Sequence, residues 1–492
     1  MARTCLSLTG STLAENAAAA SEFRRYIDVL ELRADFLSSE ELSSLAGFPS
    51  LVDVPVILTV RRKQDGGFWD GTEGERRTLL ERGLSGSYSY VDFEIDFDDE
   101  MLRRNCLQKG ITVIRSLHQF SGVPENWKTV IDELSRREEE IPKYAAKPNC
   151  TDDLIKLLEA ADAVKRRRSI VLGIGPFGFS TRVLAEKMGN FITFTSPPGR
   201  SAAEGHLDPE SLHKIYRYGD INASTAVFGI IGNPVLHTKS PRIHNRGFDL
   251  LGIDAVYVPF HIDNLDSFFT AAQWFDVNGV SVTIPYKETI IPYLSETSDE
   301  IAATGACNTV KWVPAEKPRL RGENFDSAGF LTPLSRVLNG RRALEGMRAA
   351  VIGAGGAARS AVYALTESGA KVAIFNRSED RAARLAEEFG CMYGKLTDTE
   401  KIADYRDVIV QATSVGMEHS PGNPIEQYDF RGDEIAYDLI YNPPRTQFLC
   451  KAKVAGCTVI NGEQMLFAQA KEQFRFFTGR DYPGDISIAE LL

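Results

Sequence analysis

Eight short apolar runs, each followed by a helix-like segment, fill the first half of this chain and restrict what it can become. The strand-like runs fall near 4–8, 26–32, 56–60, 89–93, 111–115, 140–144, 169–173 and 191–195. Helix-like segments follow near 12–23, 40–45, 72–82, 98–108, 125–136, 152–164, 177–187 and 209–215. Strict alternation of the two periodicities demands parallel strands joined by crossover helices, and eight such pairs in about 215 residues predict a (β/α)8 barrel.

In such a barrel the residues at the carboxyl ends of the strands converge on one mouth. Glu31 and Arg33 end the second strand, Arg61 follows the third, Glu94 ends the fourth, His118 follows the fifth and Lys143 lies in the sixth. Arg182 comes in the loop-helix region after the seventh. A lysine screened from bulk water can attack a ketone and form an imine. A nearby histidine can then remove a proton from the adjacent carbon, with the iminium as electron sink. Arginines clamp carboxylates through paired donors. Taken singly, His118 reads equally well as a structural hydrogen-bonding residue, and Lys143 reads more readily as a surface residue than as a nucleophile.

The stretches Asp28-Val-Leu-Glu-Leu-Arg33, Leu58-Thr-Val-Arg61, Tyr90-Val-Asp-Phe-Glu94, Ser116-Leu-His-Gln-Phe120 and Ile141-Pro-Lys-Tyr-Ala145 resemble type I 3-dehydroquinate dehydratase over residues 1–219. The resemblance implies that Lys143 forms the imine, His118 is the general base and acid, and Glu94 orients it. Glu31, Arg33 and Arg61 would hold hydroxyls and order the polar network, and Arg182 would grip the ring carboxylate. The family's closing loop ends in glutamine, whereas this chain has Ser201-Ala-Ala-Glu-Gly-His206. Ser201 and His206 are thus candidate substrate contacts, the shorter, titratable imidazole standing where glutamine would reach. Lys147 competes with Lys143 for the imine, but precedes Pro148 and should lie outside the strand.

Residues 218–225 lack apolar periodicity and read as a short joint before a fresh strand at 226–231. Beyond it come Gly232-Asn-Pro-Val-Leu-His-Thr-Lys-Ser-Pro241, Val280-Ser-Val-Thr-Ile-Pro-Tyr-Lys287, Gly305-Ala-Cys-Asn-Thr-Val310 and Gly322-Glu-Asn-Phe-Asp326. Such hydroxyl, amide and charged groups suit a small polyhydroxylated ligand. Lys287 with Asp326 could move a proton at a carbonyl while a nicotinamide moves hydride. For each alone, a surface salt bridge or cap is an equal alternative.

The stretch Arg348-Ala-Ala-Val-Ile-Gly-Ala-Gly-Gly-Ala-Ala-Arg359 reads as a buried strand, a glycine turn and a helix start. Gly353, Ala354, Gly355, Gly356 and Ala357 would bring helix amides against a pyrophosphate, although Ala358 stands where a third glycine is common. The next strand, near 371–375, ends in Asn376-Arg377-Ser378 where a NAD site would carry an acid. That sign of charge favours the 2′-phosphate of NADP, and the alternative is a purely structural turn.

These clusters resemble shikimate dehydrogenase over about residues 226–488, together with Ala412-Thr-Ser-Val-Gly-Met417, Tyr437-Asp-Leu-Ile-Tyr-Asn-Pro443 and Gly462-Glu-Gln-Met-Leu-Phe-Ala-Gln469. The resemblance implies catalysis by Lys287 and Asp326. Thr238, Ser240, Thr283, Asn308, Tyr441 and Gln469 would bind substrate, while Thr413 and Gly462 would join the NADP (NADPH) site. Thr238 stands for the usual serine and Phe325 for a threonine. Residues 226–335, completed by 461–488, would form the substrate lobe and 336–460 a Rossmann-like NADP lobe.

The two implied reactions are consecutive: 3-dehydroquinate loses water to give 3-dehydroshikimate, which NADPH reduces to shikimate. The rival from another class is a pseudoenzyme or regulatory scaffold keeping one or both folds, and a further one joins the dehydrogenase to an aldolase-like barrel. A net charge of −11 argues against nucleic-acid binding. Seven cysteines without a CxxC pair suggest neither disulfides nor a metal site. With no spanning or secretory segment the expectation is no membrane association and a cytoplasmic monomer, or a plastid protein if this is a plant chain without its transit peptide.

Overall fold

The computed structural model describes residues 1–200, 202–313, 319–339, 344–484 and 491. The first half is a (β/α)8 barrel. Its strands are β1 (Arg3–Leu8), β2 (Val29–Arg33), β3 (Val56–Thr59), β4 (Tyr90–Glu94), β5 (Thr112–Gln119), β6 (Ile141–Ala146), β7 (Ile170–Gly173) and β8 (Ile192–Thr195). The strands pair in parallel, in the order β7-β6-β5-β4-β3-β2-β1-β8, so the sheet is nearly closed at the β7/β8 seam.

The helices are α1 (Leu13–Glu22), α2 (Glu73–Gly83), α3 (Glu100–Gln108), α4 (Trp127–Leu134), α5 (Thr151–Val164), α6 (Gly175–Val183) and α7 (Pro209–Tyr216). The helix expected near 40–45 is instead a 3-10 stretch, Glu41–Leu51, with Pro49 inside it. Proline lacks the donor that an α-helical ladder requires there. The start of the second expected strand is likewise a 3-10 turn, Arg24–Tyr26.

Period-two alternation sorts the strand residues into two cores. Leu6, Leu30, Leu58, Val91 and Val113 pack outward beneath the helices. Cys5, Val29, Ile57, Tyr90, Ile114, Ile141, Ile170 and Ile192 fill the lumen. Two residues further along several strands, the same inward face carries Ser7, Glu31, Asp92, Ser116 and Lys143, all buried. The apolar plug closes one end of the lumen, and a charged layer lies above it.

Past the barrel come β9 (Ala226–Gly232), α8 (Ser240–Leu250), β10 (Ala255–His261), α9 (Leu265–Trp274), β11 (Val277–Val282), α10 (Asp299–Thr304), β12 (Thr309–Val313), β13 (Arg319–Glu323) and α11 (Asp326–Val337). Strands β9 and β10 are parallel, whereas β11, β12 and β13 pair antiparallel. Then follow β14 (Arg348–Ile352), α12 (Gly356–Glu367), β15 (Lys371–Asn376), α13 (Glu379–Phe389), β16 (Met392–Lys395), α14 (Thr399–Asp404), β17 (Val408–Gln411), β18 (Ile435–Asp438), α15 (Gln447–Ala455), β19 (Thr458–Ile460) and α16 (Gly462–Thr478). Strands β14 to β19 form a parallel sheet in the order β16-β15-β14-β17-β18-β19. Counted within the lobe this is 3-2-1-4-5-6, the doubly wound dinucleotide-binding order, with its switch point between β14 and β17.

The chain divides into two compact units, 1–241 with 252–277, and 242–251 with 278–492. The barrel therefore shares its unit with β9, β10 and α9, and the compact boundary lies beyond the joint read at 218–225. Among the described residues no helix is long and apolar enough to cross a membrane.

Candidate active sites

Lys143 reaches the barrel lumen from the middle of β6 and is 4% exposed. Its Nζ lies 3.0 Å from Asp92 Oδ2 and 3.5 Å from Glu31 Oε1, and 4.2 Å from the centroid of the Phe194 ring. Asp92 Oδ1 accepts from Arg61 Nη2 at 2.9 Å and from Ser116 Oγ at 2.5 Å. Burial alone would raise the Asp92 pKa, but Arg61, Lys143 and His118 outweigh it and hold the carboxyl well below its ordinary range. Glu31 is fixed by Ser7 Oγ at 2.7 Å and Thr59 Oγ1 at 3.1 Å. Opposite charges thus alternate around the lysine, so none is buried unpaired.

Glu94, expected to orient His118, is bound by two arginines. Arg61 Nη1 donates to its Oε1 at 3.1 Å and Arg76 Nη1 to its Oε2 at 2.8 Å. Arg76, fully buried on α2, also donates to the Val60 carbonyl. Both Glu94 oxygens are thereby engaged, and His118 Nδ1 is buried without a hydrogen-bond partner. Burial, together with the Arg61 and Lys143 charges, pushes the His118 pKa well below 6.5, so the ring is neutral at neutral pH.

A cavity of about 220 Å³ brings Lys143, His118, Glu31, Arg33, Arg61, Arg182 and His206 to one wall system. Arg182, on α6, is 3% exposed, and its Nε and Nη1 are buried without partners. Burial lowers its pKa to about 10. Arg33 is held by Asp35 through bonds of 2.9 and 2.7 Å. His206 places Nδ1 2.6 Å from Ser196 Oγ, and burial with the nearby Arg182 and Lys143 charges keeps it neutral. Ser201 lies outside the described residues. Lys147 stands outside β6 at the cavity rim, 2.6 Å from Glu204 Oε2.

Asp92 was missed in the sequence, as was Asp65, which lines the cavity and accepts from Arg62 Nε at 2.6 Å. Both are adjacent to singled-out motifs, and Asp92 shares the face of Glu94 two residues away. That spacing was the available signal.

In the second unit, Lys287 Nζ donates to Asp326 Oδ2 at 2.5 Å, and Asn308 Nδ2 donates to Asp326 Oδ1 at 2.9 Å. Asp326 is 4% exposed and opens α11, where the helix N-terminus favours a carboxylate. The Lys287 carbonyl accepts from Cys307 N–H at 2.7 Å, tying the lysine to the entry of β12. Asn308 Oδ1 accepts from Phe325 N–H and Thr309 Oγ1, so the amide cannot rotate freely. The ring of Phe325 meets Phe476 edge-on. Thr283 is half-buried at the carboxyl end of β11, its carbonyl accepting from Tyr286 N–H.

Gln469 sits one turn before Gln473, whose amide donates to Thr309 Oγ1 at 3.0 Å. A Cβ at Gly329, one turn into α11 from Asp326, would come 2.8 Å from Gln469 Cβ. Helix α16 thus lies on α11 and carries Gln469 to the helix that bears Asp326. Tyr441 is half-buried, and burial raises its pKa. Its loop is pinned by Asp438, which accepts from Thr446 Oγ1 at 2.5 Å and Ile440 N–H at 3.0 Å. Thr238 and Ser240 belong to the first unit, where their hydroxyls are 3.1 Å apart at the start of α8.

The glycine turn has a physical reason for each glycine. Gly353 has φ +119° and a Cβ there would lie 2.9 Å from the Ala412 carbonyl oxygen and 3.1 Å from Thr413 Cγ2. Gly355 caps α12 with no side-chain hydrogen bond, leaving its terminal amides available. Gly355 and Gly356 are exposed, and nothing lies within 4 Å of where a Cβ would stand, which is the space a pyrophosphate requires. Ala354 is half-buried and Ala357 exposed along the same turn, while Ala358 is buried against the sheet, where its methyl fits. After β15, Asn376 Nδ2 donates to the Ser378 carbonyl at 3.0 Å and Arg377 is exposed. The donor set therefore fits a dinucleotide bearing a 2′-phosphate. Gly462 is buried against the Leu439 and Ile440 backbone, which a Cβ would meet at 2.3 Å; its requirement there is close packing.

A lysine-lined (β/α)8 barrel followed by a dinucleotide-binding dehydrogenase defines a two-enzyme chain. The family model for type I 3-dehydroquinase matches residues 4–223, that for the shikimate dehydrogenase substrate binding domain 230–310, and that for shikimate/quinate 5-dehydrogenase 336–420. A chloroplastic bifunctional 3-dehydroquinate dehydratase/shikimate dehydrogenase of Arabidopsis thaliana is 30% identical over 93% of this chain and 79% of its own length. A shikimate dehydrogenase (NADP(+)) of Oleidesulfovibrio alaskensis is 40% identical over 52% of this chain and 91% of its own. A crystal structure of a shikimate dehydrogenase with NADP+ superposes with a TM-score of 0.50 at 33% identity, covering 54% of this chain and 93% of that one. The chain belongs to the bifunctional 3-dehydroquinate dehydratase/shikimate dehydrogenase family.

Proposed function

We propose that this chain dehydrates 3-dehydroquinate to 3-dehydroshikimate in its barrel and reduces that product to shikimate with NADPH in its second enzyme. The observation that carries the first step is the joint presence of Lys143, neutral His118 and the unpartnered Arg182 around one cavity. A buried guanidinium with free donors calls for an anion, which a substrate carboxylate supplies.

In the proposed dehydratase step Lys143 Nζ, as the free amine, adds to the ketone carbon, and loss of water leaves an iminium. Neutral His118 removes a proton from the neighbouring carbon, and the electron pair moves toward the iminium nitrogen. As the pair returns, the hydroxyl beyond that carbon leaves with the proton held on His118. Hydrolysis of the conjugated imine frees the enone and restores Lys143. Asp92 and Glu31 hold the ammonium form in place between turnovers, and His206 and Arg33 meet the ring hydroxyls.

For the reductase, Gly353, Ala354, Gly355, Gly356, Ala357 and Thr413 would hold the pyrophosphate region, with Asn376, Arg377 and Ser378 at the 2′-phosphate. When bound, NADPH supplies the hydride for the carbonyl carbon. Lys287 donates a proton to the forming alkoxide while Asp326, fixed by Asn308, keeps the ammonium aimed. Thr283, Tyr441 and Gln469 would bind the remaining hydroxyls. The corresponding functional domains are 1–219, 226–335 with 461–488, and 336–460, in a monomeric cytoplasmic chain. Adding 3-dehydroquinate alone should raise the ultraviolet absorbance of a conjugated enone, and NADPH should then consume it. No absorbance rise overturns the dehydratase, and no NADPH oxidation overturns the reductase.

A further inference from the structure

Helix α5 follows the imine-bearing strand β6, and its own N-cap residue, Cys150, makes no side-chain cap bond. The cap comes from outside the barrel. Thr151 N–H and Oγ1 donate to Asp263 Oδ1 at 2.9 and 2.6 Å, and Asp263 N–H donates back to Thr151 Oγ1 at 3.1 Å. Asp263 stands between β10 and α9, more than 40 residues after the last barrel strand-helix pair, within the same compact unit. Ser267 Oγ, on α9, adds a bond to Asp152 Oδ1 at 2.5 Å. Alongside, Phe177 of α6 meets the His261 ring edge-on with centroids 4.6 Å apart.

The capped end is close to the proposed dehydratase site. Between β6 and α5 run only Lys147, Pro148, Asn149 and Cys150, and proline restricts the backbone of both itself and Lys147. Asp153 Oδ2, in the first turn of α5, accepts from Asn149 N–H at 3.1 Å, and the Lys147 amide donates to the Gln119 carbonyl at 2.8 Å. Lys147 Nζ then holds Glu204 at 2.6 Å, and the Glu204 carbonyl accepts from Gly175 N–H at the start of α6. Lys147, Glu204 and His206 all line the cavity. An unbroken chain of bonds and short backbone therefore runs from Asp263 to the cavity rim.

We propose that Asp263, contributed by the segment after the barrel, is a positioning residue for the dehydratase: it caps α5 and thereby sets Lys147 and, through it, Glu204 and the loop bearing His206. Its action falls on substrate retention, because the rim pair touches none of the groups that move protons. The inference rests on the dehydratase function proposed above.

The test is a double-mutant cycle on the full chain, with Asp263→Ala, Glu204→Gln and their combination, assayed by enone formation. Each single variant should raise KM for 3-dehydroquinate about fivefold with kcat within about twofold, the scale of a lost N-cap. The double variant should be no worse than the poorer single one, since both break the same chain. Asp263→Asn retains an acceptor and should restore KM to within about twofold of the parent. Multiplicative effects in the double variant, or a fall in kcat at unchanged KM, would overturn the proposal. If Asp263→Ala loses NADPH oxidation as well and does not fold, Thr151→Val, which keeps the α5 amide donor, takes its place in the cycle under the same criteria. Failure of the parent chain to form enone would instead sink the dehydratase function itself.

Discussion

Lys143 Nζ and Asp92 Oδ2 form a buried ion pair of 3.0 Å at the centre of the barrel, and the same carboxylate holds Arg61 on its other oxygen. The pair holds the amine at the cavity where we propose that a ketone arrives. Lys143→Met should abolish borohydride trapping of the substrate adduct, lower dehydratase turnover by at least about 10³-fold and leave NADPH oxidation unchanged. Mass spectrometry of the reduced adduct reads this directly. Trapping that survives at Lys147 would overturn the assignment. Asp92→Asn should retain trapping while slowing turnover by about 10²-fold, because the lysine is held less well.

Arg182 predicts opposite changes in activity and stability. Two of its guanidinium nitrogens are buried without partners, so the free protein carries a charge that substrate would neutralise. Arg182→Met should raise KM for 3-dehydroquinate on the order of 10²-fold. The ligand-free variant should also unfold at a higher temperature than the parent, since an uncompensated buried charge is gone. Thermal unfolding with and without substrate measures both. A lower melting temperature in the variant would mean that the guanidinium has structural partners.

The pH dependence follows from His118. Its folded pKa lies well below 6.5, because burial and the neighbouring Arg61, Lys143 and Arg33 charges disfavour the imidazolium. Dehydratase kcat/KM should therefore stay flat as pH falls through 6.5 and decline only further down, when the base finally protonates. Stability behaves differently. The unfolded chain binds the proton near the ordinary value while the folded chain does not, so this residue's contribution is lost as pH falls below 6.5. An acid limb centred at or above 6.5 would exclude His118 as the free-enzyme base.

Asp326 separates the two activities. It accepts from both Lys287 and Asn308, so Asp326→Asn should leave the lysine unaimed and reduce NADPH oxidation by about 10²-fold or more while enone formation continues at the parental rate. Loss of both activities would indicate a folding defect and remove the catalytic assignment.

The strands and the fold class were legible because inward residues recur every second position and helices bury one stripe. Which groups pair with which is set by tertiary packing. Glu94 and Asp92 share one face of β4, and nothing local says which of them Arg76, from α2, will engage. A 3-10 stretch that contains Pro49 stands where a barrel helix was expected. The joint at 218–225 looked like a boundary because apolar periodicity lapses there before a fresh strand. Yet the compact unit extends to Val277, since α5 packs on α9 and α6 on β10, elements far apart in the chain, as the 112-residue separation of Thr151 and Asp263 shows.

We propose that cofactor choice turns on Arg377, which follows β15 with no carboxylate at the strand end and lies exposed to solvent. A 2′-phosphate there would meet one cation and the Asn376 and Ser378 side chains, whereas NADH offers only a ribose hydroxyl. Arg377→Ala should raise KM for NADPH about tenfold and leave KM for NADH within about twofold. Because the site is exposed, the parental preference for NADPH should itself weaken as ionic strength rises, and the variant should show much less salt dependence. Steady-state kinetics with both cofactors at low and high salt measure this. An equal loss with NADH and NADPH would mean that Arg377 supports the fold of the nucleotide lobe instead of reading the phosphate.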